Sequence, residues 1–179
     1  MNLEQEKKKQ LAEDLSNIYK VLLKKLITEK KDFNTIAVHC DSGFSAFGLS
    51  WNSNRYLNQK KEKFSEQNWL IIKYSVSEWE NIFYEHENFN DINEKIEEIF
   101  DELYDEDLTD EQITQFFSEI ALYVLLEIRK VVSDHPTPFI SLQFSDPSDT
   151  EIDLMKKINQ LIDNEDKSPE FETYLEKIR

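Results

Sequence analysis

The sequence predicts an α+β fold, on three observations. Strand-like segments gather between residues 33 and 72, with one more at 139–144. Helical periodicity fills most of the remainder. The regular strand–helix alternation of an α/β sheet is missing. The expected architecture is a small, mainly antiparallel sheet of about four strands covered by helices on one face. A long N-terminal helix and a central buried helix complete it. The 179 residues read as a single domain, 1–179, large enough to bury a core without disulfides or metals.

The elements follow in chain order. Leu11, Leu15, Ile18, Leu22 and Leu26 recur at helical spacing, which predicts a helix over residues 3–30. Phe33 to Cys40 reads as a strand, Asp41-Ser42-Gly43 as a turn, and Phe44 to Trp51 as the returning strand of a hairpin. Residues 52–63 are polar and basic, a loop with a short helix. The apolar run Trp69-Leu70-Ile71-Ile72 suggests a third strand. Ser75 and Glu78 have capping-box spacing, so a short helix carrying Trp79, Ile82 and Phe83 is expected next. Residues 91–104 place Ile92, Ile96, Ile99, Phe100 and Leu103 on one helical stripe.

Thr109 and Gln112 fit a second capping box. The helix they open, to about Val132, is apolar on most sides and is therefore expected to be buried on most sides. His135-Pro136-Thr137-Pro138 should break it. Ile140, Leu142 and Phe144 alternate with Ser141, Gln143 and Ser145, the pattern of a half-buried strand. Asp146-Pro147-Ser148 leads into a helix at 149–163. Ser168-Pro169 opens a last one carrying Phe171, Tyr174, Leu175 and Ile178.

Composition narrows the function classes. Hydrophobic residues make up 39% and aromatics 12%, which separates this chain from disordered sequences of similar charge. Only Gly43 and Gly48 are glycines, so a phosphate-cradling or dinucleotide-binding loop is not expected. The lone Cys40 excludes an internal disulfide and points to a reducing compartment. No apolar run is long enough to span a bilayer, and the charged start lacks the apolar region of a signal peptide. A soluble, cytoplasmic protein is the expectation.

Charge is spread unevenly. Residues 1–77 carry a net +4, residues 78–119 a net −15 and residues 120–179 a net −5. The middle stretch holds sixteen acids and one base, Lys95, which is more than solubility requires. Such a field repels nucleic acid and anionic membranes and attracts basic partners.

Several short pieces, taken in order, carry a family resemblance. They are Ser50-Trp51-Asn52-Ser53-Asn54, then Tyr74-Ser75-Val76-Ser77-Glu78-Trp79 as an aromatic-Ser-x-x-Glu-Trp signature. The long acidic-then-apolar helical stretch, Ser145-Asp146 and Ile158-Asn159 follow. Together they resemble the bacterial domain-of-unknown-function family numbered 4303. The resemblance implies a bacterial, cytoplasmic, one-domain protein and brings no catalytic residues with it.

Candidate chemistry is sparse, and no catalytic residue, metal ligand or cofactor is assigned. His39 and Cys40 are neighbours on a strand and point to opposite faces, so they cannot form a nucleophile pair. His39, His86 and His135 have no metal-ligand spacing. The Asp105–Ile113 segment resembles the start of a calcium-sensor helix but lacks the loop glycine, and reads as a capped helix start. The leading expectation is a non-enzymatic acidic domain that binds a basic protein, in its concrete form an immunity-type inhibitor of a basic toxin. Its binding residues would be Glu97, Glu98, Asp101, Glu102, Asp105, Glu106, Asp107 and Trp79. The alternative is a small hydrolase or metal-dependent enzyme with its site near the first hairpin, using His39. A homo-oligomer stays open.

Overall fold

The computed structural model describes residues 3–29, 31–64, 66–134, 138–162 and 168–179. Two helix–strand units form its frame. Helix α1 (Leu3–Thr28) leads into strand β1 (Phe33–Cys40), and helix α5 (Asp110–Val131) leads into strand β3 (Phe139–Phe144). The two strands pair in parallel, with Ile36 opposite Ile140 and Cys40 opposite Phe144. The two helices pack along each other, clamped by Lys8–Glu119 and Lys20–Glu127. Strand β2 (Phe47–Ser53) returns antiparallel on the other side of β1, so the sheet order is β2-β1-β3.

Among the described residues, three strands in a mixed sheet replace the four, mainly antiparallel, expected from the sequence. The missing strand is Trp69–Ile72, which lies inside helix α3 (Glu66–Tyr74). A four-residue apolar run has no period of its own, and its polar neighbours extend it to helical length here. Residues Asn54–Lys61 form helix α2, started by Ser53, whose hydroxyl accepts the Tyr56 amide.

Ser75 does not cap a helix. Its hydroxyl meets that of Ser77, and Val76–Glu78 make one 3₁₀ turn. The helix expected to carry Trp79, Ile82 and Phe83 does not form. The open edge of β2 offers this segment hydrogen bonds instead. The Trp51 amide donates to the Asn81 carbonyl at 3.0 Å, and the Tyr84 amide to the Leu49 carbonyl at 2.7 Å. Left-handed backbone at Phe83 and Glu85 is likewise incompatible with a helix.

The remaining helices follow the pattern. Helix α4 (Asn90–Asp105) buries Ile92, Ile96, Ile99 and Leu103. Asn93 on it holds both backbone groups of Phe47 at the start of β2. Thr109 and Gln112 form the expected capping box of α5. Contrary to expectation, α5 is buried on one wide face only, and Tyr123 and Leu126 are exposed. Helix α6 (Asp149–Leu161) packs against β3 and against α7 (Ser168–Ile178), opened by a Ser148–Glu151 capping box. The break expected at His135-Pro136-Thr137 lies outside the described residues.

Both faces of the sheet are covered, not one. Ile36, Val38, Cys40, Phe47, Leu49, Trp51, Ile140, Leu142 and Phe144 share the first face and join α1, α4 and α5 in the main core. Phe117 of α5 stacks on Phe100 of α4 at 4.4 Å within it. Strand β3 is buried throughout, so its Ser141 and Gln143 do not face solvent. They belong to the second face, covered by Val76, Trp79 and Phe83, with Tyr74 and Phe171 against Phe139.

Candidate functional sites: an acidic helix face and a buried histidine

The α4 sequence sets two stripes by spacing alone. Ile92, Ile96, Ile99 and Leu103 face the core, and Glu94, Glu97, Glu98, Asp101, Glu102 and Asp105 form one exposed row on the opposite side. The row continues through Glu106 and Asp107 in the turn to Asp110 and Glu111 at the start of α5, all exposed. Like charges at this spacing repel. Among the described residues, only Glu102 of the α4 row has a cation within ion-pair distance, Lys7 of α1. Lys95 reaches Asp14 of α1 at 2.9 Å, away from the row.

Beside the acidic turn lies an open groove of about 280 Å³, lined by Lys8, Leu108, Gln112, Gln115, Phe116 and Glu119. Lys8 sits over the Phe116 ring, and its hydrogen bond to Glu119 holds that carboxyl below its ordinary range.

The structure therefore brings together Glu97, Glu98, Asp101, Glu102, Asp105, Glu106 and Asp107, and adds Glu94. Trp79 stands elsewhere. It is 4% exposed, packs with Ala37 and Val76, and donates its indole N–H to the Lys73 carbonyl. Trp51 is also buried, and Trp69 is half-buried beneath Lys61.

His39 occupies the second sheet face and is 2% exposed. The hydrogen bonds around it define its protonation. Ser145 donates to Asp41 Oδ1 at 2.7 Å, which leaves the Ser145 oxygen to accept from His39 Nε2 at 3.0 Å. The Phe83 amide donates to Ser50 Oγ at 2.9 Å, and Ser50 donates in turn to His39 Nδ1 at 2.9 Å. This network assigns the neutral Nε2–H tautomer. Burial pushes the His39 pKa down to about 4, against the opposing pull of Asp41. The Phe83 ring stacks on the imidazole at a centroid distance of 4.0 Å.

Sequence reading missed Ser50, Ser145, Asp41 and Phe83 as partners of His39. The polar alternation Thr35, His39 and Ser50, Asn52 was visible, but such alternation ordinarily marks a solvent face. Cys40 points into the main core, and burial pushes its thiol well above the ordinary range, which leaves it inert.

Among the described residues no group of three or more His, Cys, Asp or Glu side chains is placed to hold a metal. Glu151 is nearly buried but fully engaged, accepting from the Gly43 amide and from Ser148. Among the described residues no helix is long and apolar enough to cross a membrane. No curated protein and no solved structure matches the chain. One family model, Domain of unknown function (DUF4303), matches residues 15–161, well over half of the sequence, and the chain belongs to that family.

Proposed function

We propose that this protein is a non-enzymatic binding domain that docks a basic protein partner on the outer face of α4. The carrying observation is the uninterrupted row Glu94, Glu97, Glu98, Asp101, Glu102 and Asp105, left almost without internal cations. Self-repulsion along such a row opposes folding, and a cationic surface relieves it. The groove at Leu108 and Phe116 supplies apolar contact beside the charge. In its most concrete form the partner is a nuclease toxin, masked by carboxylates that occupy the place of phosphates. The hydrolase reading gains less support, because Phe83 covers His39 and would have to move before a substrate could reach it.

Site-specific photo-cross-linking in the source cell tests the docking face. A cross-linker in place of Glu98 should capture a protein of net positive charge that one in place of exposed Lys157 on α6 does not. The association rate of that pair should fall roughly tenfold or more between low and physiological salt. The triple variant E97K/E98K/D101K should abolish it. Equal capture from both positions, or association indifferent to salt, would reject the reading.

A further inference from the structure

The second sheet face breaks the usual rule for a buried surface. Its rows across the sheet are Gly48–His39–Gln143, Ser50–Ala37–Ser141 and Asn52–Thr35–Phe139. Six of these nine residues are polar, and all six are buried. Buried polar groups normally find partners. Here Thr35 Oγ1 and Asn52 Nδ2, opposite each other and completely buried, have none among the described residues. Asn81 Nδ2, in the segment that covers this face, has none either. Such departures from core chemistry concentrate at functional sites.

The cover is unusual too. Phe83 lies parallel to the His39 ring, with an interplanar angle of 16°. It fits only because residue 48 is glycine: a Cβ there would stand 2.4 Å from Phe83 Cδ1. This is one of two glycines in the whole chain. Phe83 has φ +48° and Glu85 has φ +49°, conformations that bulky side chains avoid. Phe83 remains half-exposed, and its neighbour Ile82 is exposed. Four hydrogen bonds hold residues 80–85 to β2, among them one from the Phe83 amide to the Ser50 hydroxyl and one from the Ser53 hydroxyl to Glu80.

We propose that Phe83 is a displaceable plug in a ring-binding slot. When residues 80–85 lift from β2, the space over Gly48 accepts the planar ring of an uncharged, nucleobase-type heterocycle stacked on His39. A flat ring is required because the slot is bounded by the Gly48 backbone and the imidazole. A hydrogen-bonding edge is favoured because Ser50 Oγ loses the Phe83 amide on opening and becomes free to bond the ligand. The net charge of −16 disfavours a phosphorylated ligand. This slot is independent of the α4 surface.

The full-length chain and three variants test the proposal by titration with adenosine, guanosine, cytidine and uridine. Removing the plug should raise the population of the open state and with it the apparent affinity. At least one nucleoside should bind Phe83→Ala about tenfold more tightly than the wild type. That binding should vanish in the double variant Phe83→Ala/Gly48→Val, whose added side chain fills the slot. Phe83→Leu carries the same comparison if the alanine variant does not fold. Indole serves as the apolar control ring. Absence of nucleoside binding to both Phe83 variants, whether or not indole binds, overturns the proposal and leaves Phe83 an ordinary core side chain. Nucleoside binding that survives Gly48→Val overturns it as well.

Discussion

On one face of the sheet, three strands present Ile36, Val38, Leu49, Leu142 and their neighbours to a continuous apolar core. On the other, the alternate residues of the same strands present Thr35, His39, Ser50, Asn52, Ser141 and Gln143, also buried. Equal burial does not mean equal energetics. The first face gains from every methylene removed from water. The second gains only as far as its hydrogen bonds are complete, and each unpaired group subtracts. The apolar face should therefore carry most of the stability, and the polar face most of the sensitivity to pH and to precise fit.

Adjacent residues in β3 give the sharpest version of this contrast. Leu142→Ala, on the apolar face, should cost about 2–5 kcal/mol in urea-denaturation stability through lost burial and a residual cavity. Ser141→Ala, equally buried on the polar face, removes only the acceptor for Gln143 Nε2 and should cost about 1 kcal/mol. Comparable losses from the two would erase the distinction.

The next largest effect belongs to His39. Its unfolded pKa is near 6.5 and its folded pKa about 4. Between these values the unfolded chain holds more protons, so stability is full above pH 6.5 and declines as pH falls toward 4. The loss attributable to this residue should reach about 2–3 kcal/mol by pH 4. Measuring stability at several pH values in the wild type and in His39→Gln isolates it. An unchanged slope in the variant would mean that the hydrogen-bonded imidazole does not set the acid sensitivity.

Fit at Gly48 comes third. Gly48→Ala forces a Cβ against Phe83 and should destabilise by about 1–3 kcal/mol. The same substitution in a Phe83→Ala background should cost much less, since the clash partner is gone. Additive effects would show that something other than Phe83 enforces the glycine.

These two faces were unequally legible in the sequence. The hairpin, the α1 and α4 stripes and the Thr109 cap are local patterns, and they were read correctly. The parallel pairing of β1 with β3 joins residues about a hundred positions apart, and no local signal encodes it. Trp69–Ile72 was too short to reveal its period. The path of residues 79–85 depends on the open edge of β2, a tertiary partner that overrides the capping pattern at Ser75. The alternating polar positions Thr35 and His39 of β1 were in the sequence but went unread as one face. What they could not convey was that Trp79 and Phe83 would close over that face. The acidic row on α4 was written in the spacing of its carboxylates, whereas the burial of Trp79 was not.

The smallest stability effect has the opposite sign and concerns the molecule's other polar surface. The second sheet face holds most of its polar groups in hydrogen bonds and hides them, while α4 leaves its carboxylates in water and close to one another. Neutralising them with Glu98→Gln and Asp101→Asn should raise the unfolding midpoint by about 1–2 °C at low ionic strength. The gain should fade in high salt, where the repulsion it relieves is already screened. The same pair of substitutions should weaken capture of a basic partner. A surface kept for solubility alone would give the first result without the second. A row retained at a cost in stability for the sake of recognition must give both.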